Sequence, residues 1–155
     1  MKLWRISNHA DLTGEGGRRA AGRWHSRGRP IIYAAEHPAA ALVEILVHLD
    51  RDLLPDRFQL IAIEAPESIR IQNIPQDVLR ADWSTNDAVT RKLGDAWLAA
   101  RSSLLLRVPS VILPDAWNVL INPAHPDISQ LVIEKRQSFP LDPRLTGVNP
   151  RTGRA

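Results

Sequence analysis

Apolar and polar positions alternate over residues 2–7, with Leu3, Arg5 and Ser7 set against Trp4 and Ile6, and this predicts a short strand. Residues 8–30 carry no such period and are rich in Gly and Arg. They are expected to form a long loop, and a loop of that length inside one domain usually carries function. Residues 31–34 read as a second strand. Pro38 then suits an early helical position. Leu42, Ile45, Leu46 and Leu49 follow it at i, i+3, i+4, i+7, which predicts a helix running to about residue 49. Ala40, Val43 and Val47 make the other side apolar as well, so this helix is expected to be buried. Glu44 lies on that second apolar side and is the only carboxylate between His37 and Leu49.

Residues 58–64 and 69–74 look like strands, and Ser84 or Thr85 is placed to cap a helix over about 86–101. Val89, Leu93, Ala96, Trp97 and Ala100 would form its apolar face. Short strands are expected at 104–108, 110–113, 119–121 and 131–134, followed by an extended tail from Phe139 through Pro140, Pro143 and Pro150. No repeat and no long linker interrupts the pattern. The expectation is one domain over residues 1–145 with a loose tail at 146–155. Strands outnumber helices and mostly follow one another, so the fold class is α+β, a compact domain of mixed or antiparallel strands with a few helices.

Composition narrows the chemistry. The 155 residues are 44% apolar, enough for a single core. Cysteine is absent, which rules out a disulfide scaffold and any Cys-based metal site and fits a reducing compartment. No apolar run approaches the ~18 residues of a membrane span. The N-terminus lacks the apolar core of a signal peptide, so a soluble, cytoplasmic protein is expected. The net charge of +3 comes with 17 Arg against 3 Lys, and the arginines are scattered apart from Arg18-Arg19-Ala20-Ala21-Gly22-Arg23 and Arg27-Gly28-Arg29. Arginine forks suit the recognition of a few phosphates or carboxylates better than a general grip on a duplex. Five of the eight aromatic residues are Trp, for which burial in the core is the default expectation.

Four positions stand out as candidates for chemistry: Arg23 in the Gly-Arg-rich loop, Tyr33 ending the second strand, Glu44 on the apolar helix, and Ser110 after Pro109. A buried carboxylate near a cation is what a reaction passing through a sugar cation needs, since fixed negative charge stabilises the positive charge that develops. A structural ion pair between Glu44 and Arg23 accounts for the same two residues equally well. His125 sits in the rigid segment Asn122-Pro123-Ala124-His125-Pro126-Asp127, but no histidine pair has the spacing of a helical zinc motif, and no metal is expected. Gly14-Glu15-Gly16-Gly17 matches neither phosphate-binding glycine pattern, and no Gly-x-Ser-x-Gly nucleophile motif occurs. A basic RNA- or DNA-binding module built on residues 18–29 remains as a reading from another class.

Taken in order, several segments resemble the RES-domain toxins of RES–Xre type II toxin–antitoxin pairs. They are Trp4-Arg5-Ile6, Ala21-Gly22-Arg23-Trp24, Ile32-Tyr33-Ala34-Ala35, Ala41-Leu42-Val43-Glu44 with Leu46-Val47-His48-Leu49, Gly94-Asp95-Ala96-Trp97-Leu98, Leu106-Arg107-Val108-Pro109-Ser110, and Asn122-Pro123-Ala124-His125-Pro126. The resemblance implies a fold similar to the catalytic domains of ADP-ribosyltransferase toxins. It implies NAD⁺ as substrate rather than cofactor, cleaved at the nicotinamide–ribose bond with water or inorganic phosphate as acceptor, or with a protein as the alternative. The family's arginine, glutamate and serine would be Arg23, Glu44 and Ser110, with Tyr33 as an aromatic site residue. Arg5, leaving the first strand beside the Gly-rich loop, is by its position a further phosphate or ribose contact. It also implies a helix-turn-helix antitoxin of the Xre type as partner in a hetero-oligomer, with no direct nucleic-acid or membrane binding by this chain. Where the family often has Asn after its Arg-Trp pair, this chain has His25.

Overall fold

The alternation of side chains along a strand gives each strand two faces, and in the central strands of this protein both are apolar. The structure, a computed structural model, describes residues 1–48, 57–79 and 82–146. Among these, seven strands form one sheet in the order β4-β5-β6-β2-β1-β3-β7. They are β1 (Lys2–Ile6), β2 (Ile32–Ala35), β3 (Arg57–Glu64), β4 (Ile71–Asn73), β5 (Leu105–Pro109), β6 (Trp117–Ile121) and β7 (Val132–Pro140). Every neighbouring pair is antiparallel except β4 and β5, which run parallel. The sheet is mixed, and with the helices packed on it the fold is α+β, as the order of elements predicts.

One face gathers Leu3, Ile32, Ala34, Ile61, Ile63, Leu105, Val119 and Ile121. The other gathers Leu106, Val108 and Leu120 with Trp24, Ile31 and, from a helix, Trp97 and Leu98. The switch between neighbours such as Leu105 and Leu106, or Val119 and Leu120, is the period of two at work. Strands covered on both faces read as nearly continuous apolar runs, which is why β5 and β6 do.

Three helices are described: α1 (Glu15–Arg19), α2 (Pro38–Leu46) and α3 (Asp87–Ala100). His37 caps α2, its Nδ1 accepting from the Ala39 N–H at 3.1 Å, with Pro38 in the first turn. α2 packs on β1 and β2. α3 lies across the second face, and its Gly94 passes so close to the chain at Trp24 that a Cβ there would stand 1.8 Å from the Trp24 carbonyl oxygen. That contact fixes the Arg23-Trp24 segment against the helix.

Several expectations are corrected. The stretch 8–30 is not one loop but holds α1 and an antiparallel bridge between Gly22 and His25. Only Ala41 of α2 is buried, and Val47 just beyond it is 54% exposed, because the helix covers the sheet with one side and borders an open cleft with another. Leu49, expected on its core stripe, lies outside the described residues. The cap of α3 is Asn86, whose side chain accepts from the Ala88 N–H at 3.2 Å, and not Ser84 or Thr85. Its buried stripe is Thr90, Gly94, Trp97 and Leu98, rotated from the expected face so that Ala96 and Ala100 are exposed. Residues 110–113 form a turn rather than a strand, since the Ser110 hydroxyl draws in the N–H groups of Ile112 and Leu113. The last strand is longer than expected and runs through the start of the expected tail to Pro140.

Candidate active site

On the face of the sheet that carries α2 and α3, a cleft of about 700 Å³ opens between the two helices. Its floor is strand: Trp4 on β1, Tyr33 and Ala35 on β2, Asn118 on β6. The register explains why these four meet. Trp4 pairs with Ala35, Ala35 with Asn118, and Tyr33 with Leu120, all of one parity. Glu44 enters from α2, and Arg23, Asp87 and Arg91 from the loop and α3.

Glu44 is held by two neutral donors. Ser110 Oγ and Asn118 Nδ2 each lie 2.7 Å from its Oε1. Those donors come from the two arms of the β5–β6 hairpin, where Val108 pairs with Asn118 and Pro109 with Trp117. Both bonds fall on one oxygen, and Oε2 has no hydrogen-bond partner among the described residues. Ser110 accepts in turn from Ile112 N at 3.1 Å and Leu113 N at 3.3 Å. One donated and two accepted bonds complete what a hydroxyl can make. Ser110 therefore orients Glu44, and its neighbours Pro109, Val111 and Ile112 form the cleft wall.

Arg23 and Glu44 border the same cleft but do not form the ion pair that the sequence left open. The Arg23 Nη1 instead meets Asp87 Oδ1 at 2.9 Å and donates to the Trp83 carbonyl at 3.4 Å. Asp87 Oδ2 is engaged by Arg91 Nη2 at 3.0 Å, while Arg91 Nε donates to the Gly22 carbonyl at 2.8 Å. Thr90, fully buried, donates to the carbonyl of Arg23 itself at 2.7 Å. The whole Gly22–Trp24 segment is thus tied to the first two turns of α3.

Tyr33 presents its ring to the cleft and uses its hydroxyl behind it. The oxygen accepts from Trp24 N at 3.1 Å and lies 2.8 Å from His25 Nδ1. His25 Nε2 lies 3.0 Å from the Ala20 carbonyl, which can only accept, so Nε2 carries the proton and Nδ1 takes the Tyr33 hydroxyl. Burial lowers the affinity of His25 for a second proton, opposed by its hydrogen bonds to the Ala20 and Gly17 backbone. Burial likewise pushes the Tyr33 phenol far above its ordinary range. Both shifts favour the neutral forms, in which the Tyr33 hydroxyl donates to Nδ1.

Arg5 borders the cleft, yet on β1 it has the parity of Leu3 rather than Trp4. Its guanidinium donates to Ser7 Oγ at 3.3 Å, and burial works against its charge, with Asp11 in partial support. Among the described residues no three His, Asp or Glu side chains gather as a metal site would need. Asn118, Thr90, Asp87 and Arg91 are site residues that the sequence reading missed. Asp87 and Arg91 stand at i, i+4 on a helix, a spacing shared with ordinary surface pairs. Asn118 is one polar residue in a strand and carries no local signal.

The model of the RES domain matches residues 2–142. This chain belongs to the RES-domain family. The RES domain spans all the elements that build the cleft, from β1 to β7. Among curated RES relatives, Toxin Res of Pseudomonas putida is 44% identical over 147 residues, covering 94% of this chain and 99% of its own. A protein of a Sphingobium species, named Prs ADP-ribosylating toxin, is 36% identical and covers 92% and 95% of the two chains. Toxin Res of Photorhabdus laumondii is also 36% identical, over 94% of this chain and 97% of its own.

Proposed function

We propose that this RES protein is the toxin of a toxin–antitoxin pair and that it binds NAD⁺ and breaks the nicotinamide–ribose bond. The observation that carries the reading is Glu44, a carboxylate fixed by Ser110 and Asn118 at the wall of a cleft large enough for a nucleotide. As the C1–N bond breaks, its electron pair leaves with nicotinamide and positive charge spreads over the ribose ring. A carboxylate already held in place stabilises that charge without having to reorganise. The Tyr33 ring, packed and hydrogen-bonded behind, offers a flat apolar surface for the nicotinamide end. Arg23 supplies cationic donors for the phosphates.

The acceptor then attacks the ribose carbon from the face the nicotinamide leaves open. Water gives ADP-ribose and a proton, and inorganic phosphate gives the ribosyl phosphate. Nicotinamide release from NAD⁺ by the purified protein, followed by chromatography with and without phosphate, tests the reading. Release is expected, and Glu44→Gln is expected to lower its rate by roughly 10²–10³-fold. Release by the Glu44→Gln protein at the normal rate would remove Glu44 from the reaction.

A second reading has a specific observation in its favour, the name of the Sphingobium relative. In it the ribosyl cation is captured by a side chain of another protein. Mass spectrometry of cell proteins, showing ADP-ribose added only when active enzyme is expressed, would select it. The partner proposed is a helix-turn-helix antitoxin of the Xre type that covers the cleft in a hetero-oligomer. Cytoplasmic residence follows from the substrate proposed, and no described helix is long and apolar enough to cross a membrane.

A further inference from the structure

Asp87 stands at the cleft in a place where the proposed reaction has no use for an acid. It is the first residue of α3, and each of its oxygens meets a different arginine: Arg23 at 2.9 Å and Arg91 at 3.0 Å. The Arg91 half is the ordinary i, i+4 pair of a helix surface. The Arg23 half is not, because Arg23 comes from the loop before β2 and reaches across the cleft wall to the helix. Arg91 is steered by that same loop through its bond to the Gly22 carbonyl. All three side chains are partly exposed and border the cleft, so a solute can reach them.

Two guanidiniums closing on one oxyanion group is how arginines hold phosphate. Here they close on a carboxylate of the protein itself. The charge balance of the trio is two positive against one negative. A diphosphate brings about two negative charges, one for each arm, whereas a ligand with a single carboxylate would only replace like with like. We infer that Arg23 and Arg91 are the two arms of a diphosphate subsite and that Asp87 is its internal counter-anion. Asp87 occupies the fork when the cleft is empty and yields it to a diphosphate ligand. It thereby sets affinity and specificity: it keeps the arginines aligned, excludes weaker anions, and loosens the hold on substrate and product, since both carry the same diphosphate. The inference rests on the NAD⁺ reading only for the source of that diphosphate.

The test is calorimetric titration of ADP into the full-length wild type, Asp87→Asn and Arg91→Ala, at low and at physiological salt, with a thermal melt of each. Removing one like charge a few ångströms from the ligand is expected to tighten ADP binding by roughly three- to tenfold at low salt, with the gain shrinking as salt screens it. Arg91→Ala is expected to weaken ADP binding by about tenfold. The KM for NAD⁺ should fall in Asp87→Asn while kcat does not rise. Unchanged or weaker ADP binding by a folded Asp87→Asn protein would reduce Asp87 to an aligning residue and overturn the inference, as would unchanged binding by folded Arg91→Ala. Tighter ADP binding by Asp87→Asn in a protein that releases no nicotinamide would keep the subsite and discard the NAD⁺ reading. Normal nicotinamide release without that tightening would do the reverse.

Discussion

Two side chains, Ser110 and Asn118, hold Glu44 for the role proposed for it. Ser110 and Asn118 both donate to one carboxylate oxygen, so removing either frees part of the carboxylate without removing its charge. Asn118→Ala is expected to lower the rate of NAD⁺ cleavage by about tenfold, the loss of one such bond in the transition state, against the larger loss for Glu44→Gln. Steady-state kinetics on the two variants checks the ranking, and an Asn118→Ala rate below that of Glu44→Gln would contradict it. His25 supplies a second residue-scale expectation. Burial depresses its pKa in the folded protein, with Asp95 favouring and Arg91 opposing the extra proton. The unfolded chain takes up that proton near pH ~6.5, so the unfolded state binds more protons just below it. The neutral His25 network thus contributes fully above that pH, and stability falls as pH drops through it, by up to ~1.4 kcal/mol per pH unit for one proton. Denaturant melts between pH 5 and 8 are expected to show a steeper decline for the wild type than for His25→Gln. Parallel curves would show that His25 is not the titrating group.

At the scale of elements, the site depends on how closely α3 approaches the Arg23-Trp24 segment. Gly94 leaves room for that approach, and a methyl group there would overlap the backbone oxygen of Trp24, an atom that cannot swing aside. Gly94→Ala is therefore expected to cost about 2–3 kcal/mol, despite alanine's better helix propensity. That corresponds to a drop of roughly 5–10 °C in Tm for a chain of this size. NAD⁺ cleavage should fall with it, since Arg23 rides on the displaced segment. A melt at or above the wild-type temperature would refute the packing argument. α2 shows the opposite economy. Only its Ala41 is buried, and Ile45, from the stripe expected in the core, borders the cleft together with Val47 of the other side, so that Glu44 between them reaches the open cleft.

At the scale of the molecule, the basic stretch that reads as a nucleic-acid patch is partly paired from within. Arg18 and Arg19 pair with Glu15, Arg29 with Asp95, and Arg23 shares Asp87 with Arg91. Phosphate-backbone binding gains from cations that displace counterions from the DNA, and here Arg18, Arg19, Arg23 and Arg29 are already engaged by carboxylates of the protein. Duplex DNA is accordingly expected to bind weakly, with a Kd above roughly 10⁻⁵ M at physiological salt and no dependence on Glu44. Fluorescence anisotropy over a salt series measures it, and submicromolar binding would reopen the nucleic-acid reading.

Much of this was legible along the chain. Alternation located β1, short apolar runs located β2, β3, β5 and β6, and the period of 3.6 located α2 and α3, because local geometry and burial leave those patterns in the sequence. Arg23, Tyr33 and Glu44 could be singled out because each is a chemically unusual residue in its own segment, and the structure brings all three to one cleft. What the sequence could not decide is who meets whom. Asn118 reaches Glu44 only because β6 pairs with β2 and α2 lies above them, and Asp87 reaches Arg23 only because Gly94 lets α3 touch the loop. Contacts between residues so far apart in the chain depend on sheet order and helix placement. These are set by the packing of the whole core, and no local period records them.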